Sequence, residues 1–142
     1  GADAIIRGVD AFQVLYGLDT DTPPDGVANR YVNASALDAY DAALVLVGAD
    51  AAARQRDLRR RTHWKRVAGV RVALLLHGEA GQADKMAELG PAQFDLFGKA
   101  YAEAHGAGDM GVRIARTALP IATRSRLRQL VQTSIMLRNG PV

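Results

Sequence analysis

Three aspartates crowd one short turn: Asp19, Asp21 and Asp25, the last directly before Gly26. A hard cation such as calcium draws several oxygens from a turn of this kind, so the three are candidate metal ligands. The spacing departs from the EF-hand loop, because Pro23 and Pro24 stand where ligands are needed and no glutamate follows in register. The plainer reading is a solvated turn, with no cofactor. A second concentration of charge is basic. Seven of the eighteen Lys and Arg residues lie between Arg54 and Arg66, against one acid, Asp57. Such a segment can grip phosphates of DNA or of lipid headgroups, yet Trp64 is its only aromatic residue. A solvated helix end is the plainer reading here, as it is for the smaller group Arg124, Arg126 and Arg128.

Nothing else in the chain assembles into chemistry. His63, His77 and His105 are scattered without metal-ligand spacing. Cysteine is absent, which excludes disulfides, thiolate zinc sites and a thiol nucleophile. There is no Gly-x-Ser-x-Gly elbow and no P-loop lysine. Gly106-Ala107-Gly108-Asp109-Met110-Gly111 follows no strand pattern and opens no helix pattern, so a phosphate cradle is not expected there. No catalytic residues can be named, and the expectation is that the chain is not an enzyme.

The elements that would carry these residues are readable from periodicity. With 142 residues, 49% of them hydrophobic and 23% charged, the chain is expected to form one globular domain over 1–142. Its net charge of +3 is too small to imply a nucleic-acid partner by itself. The strongest signal is the run from Val70 to Leu76, with Val70, Val72, Leu74 and Leu76 on one strand face and Arg71, Ala73 and Leu75 on the other. This predicts a central strand, its apolar face buried, with Trp64 plugging the join to a preceding helix. Val9 to Tyr16 alternates as a strand with Phe12, Val14 and Tyr16 on one face. Gly17 and the Pro23-Pro24-Asp25-Gly26 turn should break it, and Val27 to Asn33 should return as a hairpin partner.

Ser35 with Asp38 three residues on has the form of a capping box. Leu37, Tyr40, Leu44, Val47 and Ala51 then make the stripe of an amphipathic helix, weakened at Gly48 by about 1 kcal/mol relative to alanine. The helix should continue, after a bend, into Arg54–Arg61. Gly78 to Gly90 reads as loop with one helical turn near Ala83–Leu89. Pro91 to Tyr101 carries an apolar patch of Phe94, Leu96, Phe97 and Tyr101, and Glu103 to Gly111 reads as loop. Leu119-Pro120 closes a weakly structured stretch, before a last strand from Leu127 to Arg138 with Leu127, Val131, Thr133, Ile135 and Leu137 on one face. Strands and helices mix without a βαβ rhythm, which predicts an α+β fold: an antiparallel β-sheet with an amphipathic helix packed on it.

Four separated pieces carry a family resemblance. Gly8-Val9-Asp10-Ala11-Phe12-Gln13-Val14-Leu15-Tyr16-Gly17-Leu18-Asp19, Tyr31-Val32-Asn33-Ala34, the spaced run Trp64, Val67, Val70-Arg71-Val72-Ala73-Leu74-Leu75, and the closing Arg126-Leu127-Arg128-Gln129 with Thr133 to Asn139 resemble the PilW family of type IV pilus assembly proteins, the minor pilins. Leu96-Phe97-Gly98 with Tyr101 fits as well, and order and spacing agree over nearly the whole chain. The resemblance implies a pilin-like globular head and a structural subunit that contacts other minor pilins and the major pilin. It also implies anchoring in the inner membrane facing the periplasm, and a place in the pilus. A complete minor pilin begins with a basic leader and an apolar helix. The expectation is therefore that this chain corresponds to the C-terminal portion of the globular region, with Ala42–Arg61 an insertion. Alternatives are a DNA-contacting pilin module using Arg54–Arg66, and a minor pseudopilin of type II secretion.

Overall fold

A computed structural model describes residues 6–79 and 90–137. The element order is β1 (Val9–Leu18), β2 (Arg30–Val32), α1 (Ala34–Ala42), α2 (Ala51–Arg61), a 3₁₀ turn (His63–Arg66), β3 (Val67–His77), β4 (Gln93–Asp95), α3 (Lys99–His105), β5 (Arg113–Ala115), a second 3₁₀ turn (Arg116–Ala118) and β6 (Arg128–Met136). Four strands form one sheet in the order β2-β1-β3-β6, and β4 and β5 form a separate ribbon. The large sheet is antiparallel. β1 pairs β2 with Tyr16 opposite Val32 and Leu18 opposite Arg30. Backbone bonds from Asp19 to Arg66 (2.9 Å) and from His77 to Gly8 (2.8 Å) tie opposite ends of β1 and β3. Bonds from Gly78 to Leu127 (3.0 Å) and from Leu137 to Ala68 (2.9 Å) do the same for β3 and β6. The fold is α+β, as the element pattern predicts.

Backbone contacts divide the chain into two compact units, Gly1–Gln13 with Val72–Thr133 and Val14–Arg71 with Ser134–Val142, and β1, β3 and β6 have residues in both. In the second unit, Leu18, Val32, Leu37 and Val67 are buried together, with Tyr16, Ala36 and Tyr40 packed around them. Leu37, fully buried, is how α1 docks on the strands. In the first unit, Leu75, Phe94 and Leu119 form a core with Ala11, Ile114 and Leu130 against it. The β4–β5 ribbon supplies two of these residues, pairing Phe94 with Ile114.

Several local expectations change. Helix α1 begins two residues earlier than a Ser35 cap would allow: the Asn33 side chain accepts the Ala36 N–H at 2.9 Å, the work of an N-cap. The helix stops at Ala42, so the stripe is cut after Tyr40, and Val47 is 70% exposed. A new helix opens at Asp50, whose carboxylate caps Ala53 N–H at 2.7 Å. A Cβ on Gly48 would lie 2.7 Å from Ala53 Cβ, so glycine is what lets the link fold against α2. Arg59, Arg60 and Arg61 in the last turn of α2 complement its dipole, as expected for Arg54–Arg61. Helix α3 takes in Glu103 to His105, which the sequence reads as loop, and β5 with its 3₁₀ turn orders the stretch before Leu119. The turn foreseen at Ala83–Leu89 and the end of the last strand at Arg138 lie outside the described residues.

The central strand is where it was expected, but the deeper burial is on the other face. Ala73 and Leu75 are fully buried, while Val70, Val72, Leu74 and Leu76 are half-buried. Arg71 does not spoil the Ala73/Leu75 face because its guanidinium lies over the Tyr31 ring, 3.8 Å from the centroid. Gly17 does not break β1. A Cβ there would sit 2.6 Å from Ala28 Cβ and 2.8 Å from the Tyr31 ring, so the strand runs on through it and the tyrosine fills the space. Gly17→Val is therefore expected to destabilise by about 1–3 kcal/mol through overpacking. Urea unfolding measures this, and an unchanged midpoint would show that the Tyr31 ring can give way.

Candidate functional site

The acidic turn is built around one buried carboxylate and one guanidinium. Asp19 is only 3% exposed. Its Oδ1 accepts the Asp21 N–H at 3.0 Å and its Oδ2 accepts the Gly26 N–H at 2.7 Å, which closes the turn from inside. Asp25 Oδ1 accepts the Val27 N–H at 2.9 Å, an Asx turn. Gly26 has φ of 81°, a left-handed conformation that glycine holds at least cost. Thr20 donates its N–H (3.0 Å) and its hydroxyl (2.6 Å) to Asn29 Oδ1, bracing the far side. From the 3₁₀ turn, Arg66 donates Nε to the Asp19 carbonyl at 2.8 Å and Nη2 to the Asp21 carbonyl.

The structure thus brings Asp19, Asp21 and Asp25 together, one carboxylate oxygen of each within 4.8 Å of the others. It also shows that the turn is not simply solvated. Two carbonyls that could face a metal are occupied by Arg66, and both oxygens of Asp19 serve backbone amides. Burial works to raise the Asp19 carboxyl, but the Gly26 and Asp21 N–H groups and the charge of Arg66 outweigh it and hold it below its usual range. Arg66 Nη2 also stands 4.0 Å from Asp19 Oδ1, a long ion pair.

The basic segment is likewise put to internal use. Asp57, on α2, accepts the Val47 N–H at 2.9 Å, Arg60 at 2.6 Å and Arg61 at 3.0 Å. The Val47 N–H and Arg60, against the opposing effect of burial, bring its carboxyl down to about 2, with Arg61 adding to the shift. Arg54 and Arg61 donate to the Gly48 and Val45 carbonyls at 3.2 and 2.8 Å, so both pin the link between α1 and α2. Among the described residues, Arg56, Arg59 and Lys65 are left as exposed cations of the segment without a bonded acceptor. At its end, Asp41 accepts the Thr62 hydroxyl, the His63 N–H at 2.8 Å and His63 Nδ1 at 2.7 Å. Burial raises the Asp41 carboxyl and these bonds lower it further than burial lifts it. Trp64 sits at the join of α2 and β3 as expected, 38% exposed, edge-on to Tyr16 at 4.9 Å and donating to Asp38 at 3.2 Å.

One cluster leaves no mark in sequence spacing. Asp10, His77 and Arg128 meet in the first unit, with side chains 5%, 19% and 1% exposed. His77 Nδ1 lies 3.1 Å from both Asp10 oxygens, and Arg128 Nε lies 2.7 Å from Oδ2. The Nε approach is short but off the N–H axis, so it is an ion contact rather than a hydrogen bond. Arg128 Nη1 donates to the Thr123 and Arg126 carbonyls at 2.7 and 2.8 Å. Arg128 is therefore a buried structural residue, and the expectation of a solvated group at Arg124–Arg128 is corrected. The cluster ties β1, β3 and β6 together at one end, with Arg128 Nη2 also donating to the Thr123 hydroxyl at 3.2 Å. In the same unit, Tyr101 donates to Asp109 at 3.2 Å, and burial followed by that carboxylate pushes its hydroxyl up to about 12.

The family model of type IV pilus-assembly protein W, PilW, matches residues 1–139. The chain belongs to this family. A PilW-family chain takes part in type IV pilus assembly, which places it with the pilus at the cell envelope. Neither a curated protein nor a solved structure matches it. The motif residues of this PilW-family chain have structural work to do. Gly8, with φ of 76°, would put a Cβ 2.5 Å from the His77 carbonyl, at the point where β1 and β3 bond. Asp19 closes the turn, Trp64 joins helix to strand, and Arg71 covers Tyr31. No described helix is long and apolar enough to cross a membrane.

Proposed function

We propose that this PilW-family protein is a non-catalytic minor pilin that works in assembly through protein–protein contacts with other minor pilins and the major pilin. The observation that carries the reading is β6. It is an edge strand of the four-stranded sheet, and its outer edge has no strand beside it among the described residues. Val131, Ile135 and Met136 on it are 38%, 48% and 61% exposed. From Gln129 to Leu137 the strand carries no charge and no proline. Edge strands of soluble proteins are ordinarily blunted by such residues, because an open, uncharged edge recruits other chains. In a subunit made to assemble, the missing protection is a working surface. The reading places the protein at the inner membrane facing the periplasm, and in the pilus.

The test is a photo-crosslinking residue at position 133, exposed on the same strand, in the full-length protein in piliated cells. Crosslinks to pilin subunits are expected. Val131→Lys is expected to abolish them and to reduce surface pili severalfold, with the thermal midpoint only slightly lowered because the lysine stem can carry its charge to solvent from a position already 38% exposed. Normal piliation by a folded Val131→Lys protein would overturn the proposal. The structure lends less to a DNA-contacting module, since four of the basic residues in Arg54–Arg66 are bound to acceptors of the chain itself.

A further inference from the structure

From Met110 to Leu137 the chain contains five arginines and no acid. Two of them borrow carboxylates from elsewhere: Arg113 pairs with Asp95 at 3.0 Å, and Arg128 with Asp10 at 2.7 Å. Arg116, Arg124 and Arg126 form no ion pair among the described residues; their guanidiniums are held by backbone carbonyls. Arg116 donates Nε to Pro91 at 3.0 Å and Nη1 to Arg124 at 3.2 Å. Arg124 donates Nε to Leu119 at 3.3 Å, and Nη2 to Thr117 at 2.7 Å and Leu119 at 3.0 Å. Carbonyl dipoles orient a guanidinium without neutralising it.

These two held cations line one concavity. A pocket of about 350 Å³ is bounded by Arg116, Ile121, Arg124 and Ser125, all in the first unit and none of them acidic. Arg116 Nη2 and Arg124 Nη1 have no acceptor among the described residues, and the Ser125 hydroxyl has none either. Arg116 is fixed a second way, its guanidinium 5.4 Å from the ring centroid of buried Phe94. Planar guanidinium forks suit the paired oxygens of phosphate and carboxylate. Side chains already held in place give up little rotamer freedom on binding.

We propose that Arg116, Arg124 and Ser125 form a binding site for a small oxyanion, a phosphate or a carboxylate group. The site lies outside the β6 edge and does not depend on the assembly reading. It also accounts for a charge that the fold leaves uncompensated. Ile121, 84% exposed at the mouth, makes no demand on folding and offers the decisive substitution.

The experiment is an NMR titration of the intact chain at constant ionic strength, with inorganic phosphate in one arm and acetate in the other. The expected result is saturable shifts of the Arg116 and Arg124 Nε–H signals and the Ser125 amide, with Arg56 and Arg59 unmoved. Ile121→Glu, which sets a carboxylate against the bound anion, is expected to weaken binding about tenfold. Ser125→Ala should weaken it by a smaller factor. Tighter saturation by phosphate assigns a phosphate group as the occupant, and tighter saturation by acetate assigns a carboxylate. Shifts that do not saturate, that move Arg56 and Arg59 equally, or that persist undiminished in Ile121→Glu overturn the site.

Discussion

Asp10→Ala is expected to cost about 3–5 kcal/mol, because it leaves a buried guanidinium with no counter-charge. Arg128 is 1% exposed on its side chain and lies 2.7 Å from Asp10, with His77 on the same carboxylate. Against a total stability of about 5–15 kcal/mol for a domain, this loss is enough to bring the protein close to unfolding. Urea unfolding at neutral pH measures it. A companion variant keeps the test informative if the single substitution does not fold. Asp10→Leu combined with Arg128→Met removes both charges at similar volume, and replacing a buried pair in this way is often neutral or better. The double variant should therefore be more stable than Asp10→Ala alone. A cost under 1 kcal/mol for Asp10→Ala would mean that water reaches Arg128 and that the cluster does not bind the strand ends.

Acid is expected to unfold the second unit, and its three lowered carboxyls set the window. Asp57 is brought to about 2, and Asp19 and Asp41 lie below their usual range. An unfolded chain titrates aspartate at about 3.9. A carboxyl lowered by folding stabilises the folded state above the unfolded value, and that contribution is lost as pH falls through the folded value. The thermal midpoint should hold between pH 7 and about 5, then drop steeply from about 4 toward 2. Asp57→Asn sharpens the test. It should lower the midpoint at pH 7, since Arg60 and Arg61 lose their partner, and flatten the dependence below pH 4. A midpoint that stays constant down to pH 2.5 would contradict the role assigned to these bonds.

Much of the chain was legible in order because its signals are local. Period-two alternation marks a strand wherever it docks, so β1, β3 and β6 are visible from side-chain pattern alone, and so is the turn at Pro23-Pro24-Asp25-Gly26. The acidic turn could be located the same way, since its three aspartates lie within seven residues. Its meaning could not be, because Arg66, which binds the carbonyls of Asp19 and Asp21, lies 47 positions from Asp19. Alternation also cannot say which face of a strand is covered. Val70, Val72, Leu74 and Leu76 look like the core side, and only the docking of the rest of the chain puts Ala73 and Leu75 deeper.

The remaining misreadings have the same origin. Asn33, not Ser35, caps α1, because the cap is decided by where the strand before it releases the chain. Gly17 reads as a strand break until the Tyr31 ring is seen to need its missing side chain. Asp10, His77 and Arg128 are separated by 67 and 51 positions and share no motif, yet they form the most buried charged cluster described. The arginines of 116–128 look like surface charge and are mostly fasteners, because a guanidinium can satisfy carbonyls that no helix or sheet reaches. Sequence alone determined the class of fold and the membership that order and spacing imply. Tertiary structure decided burial and partnership, because both depend on distances that chain separation does not encode.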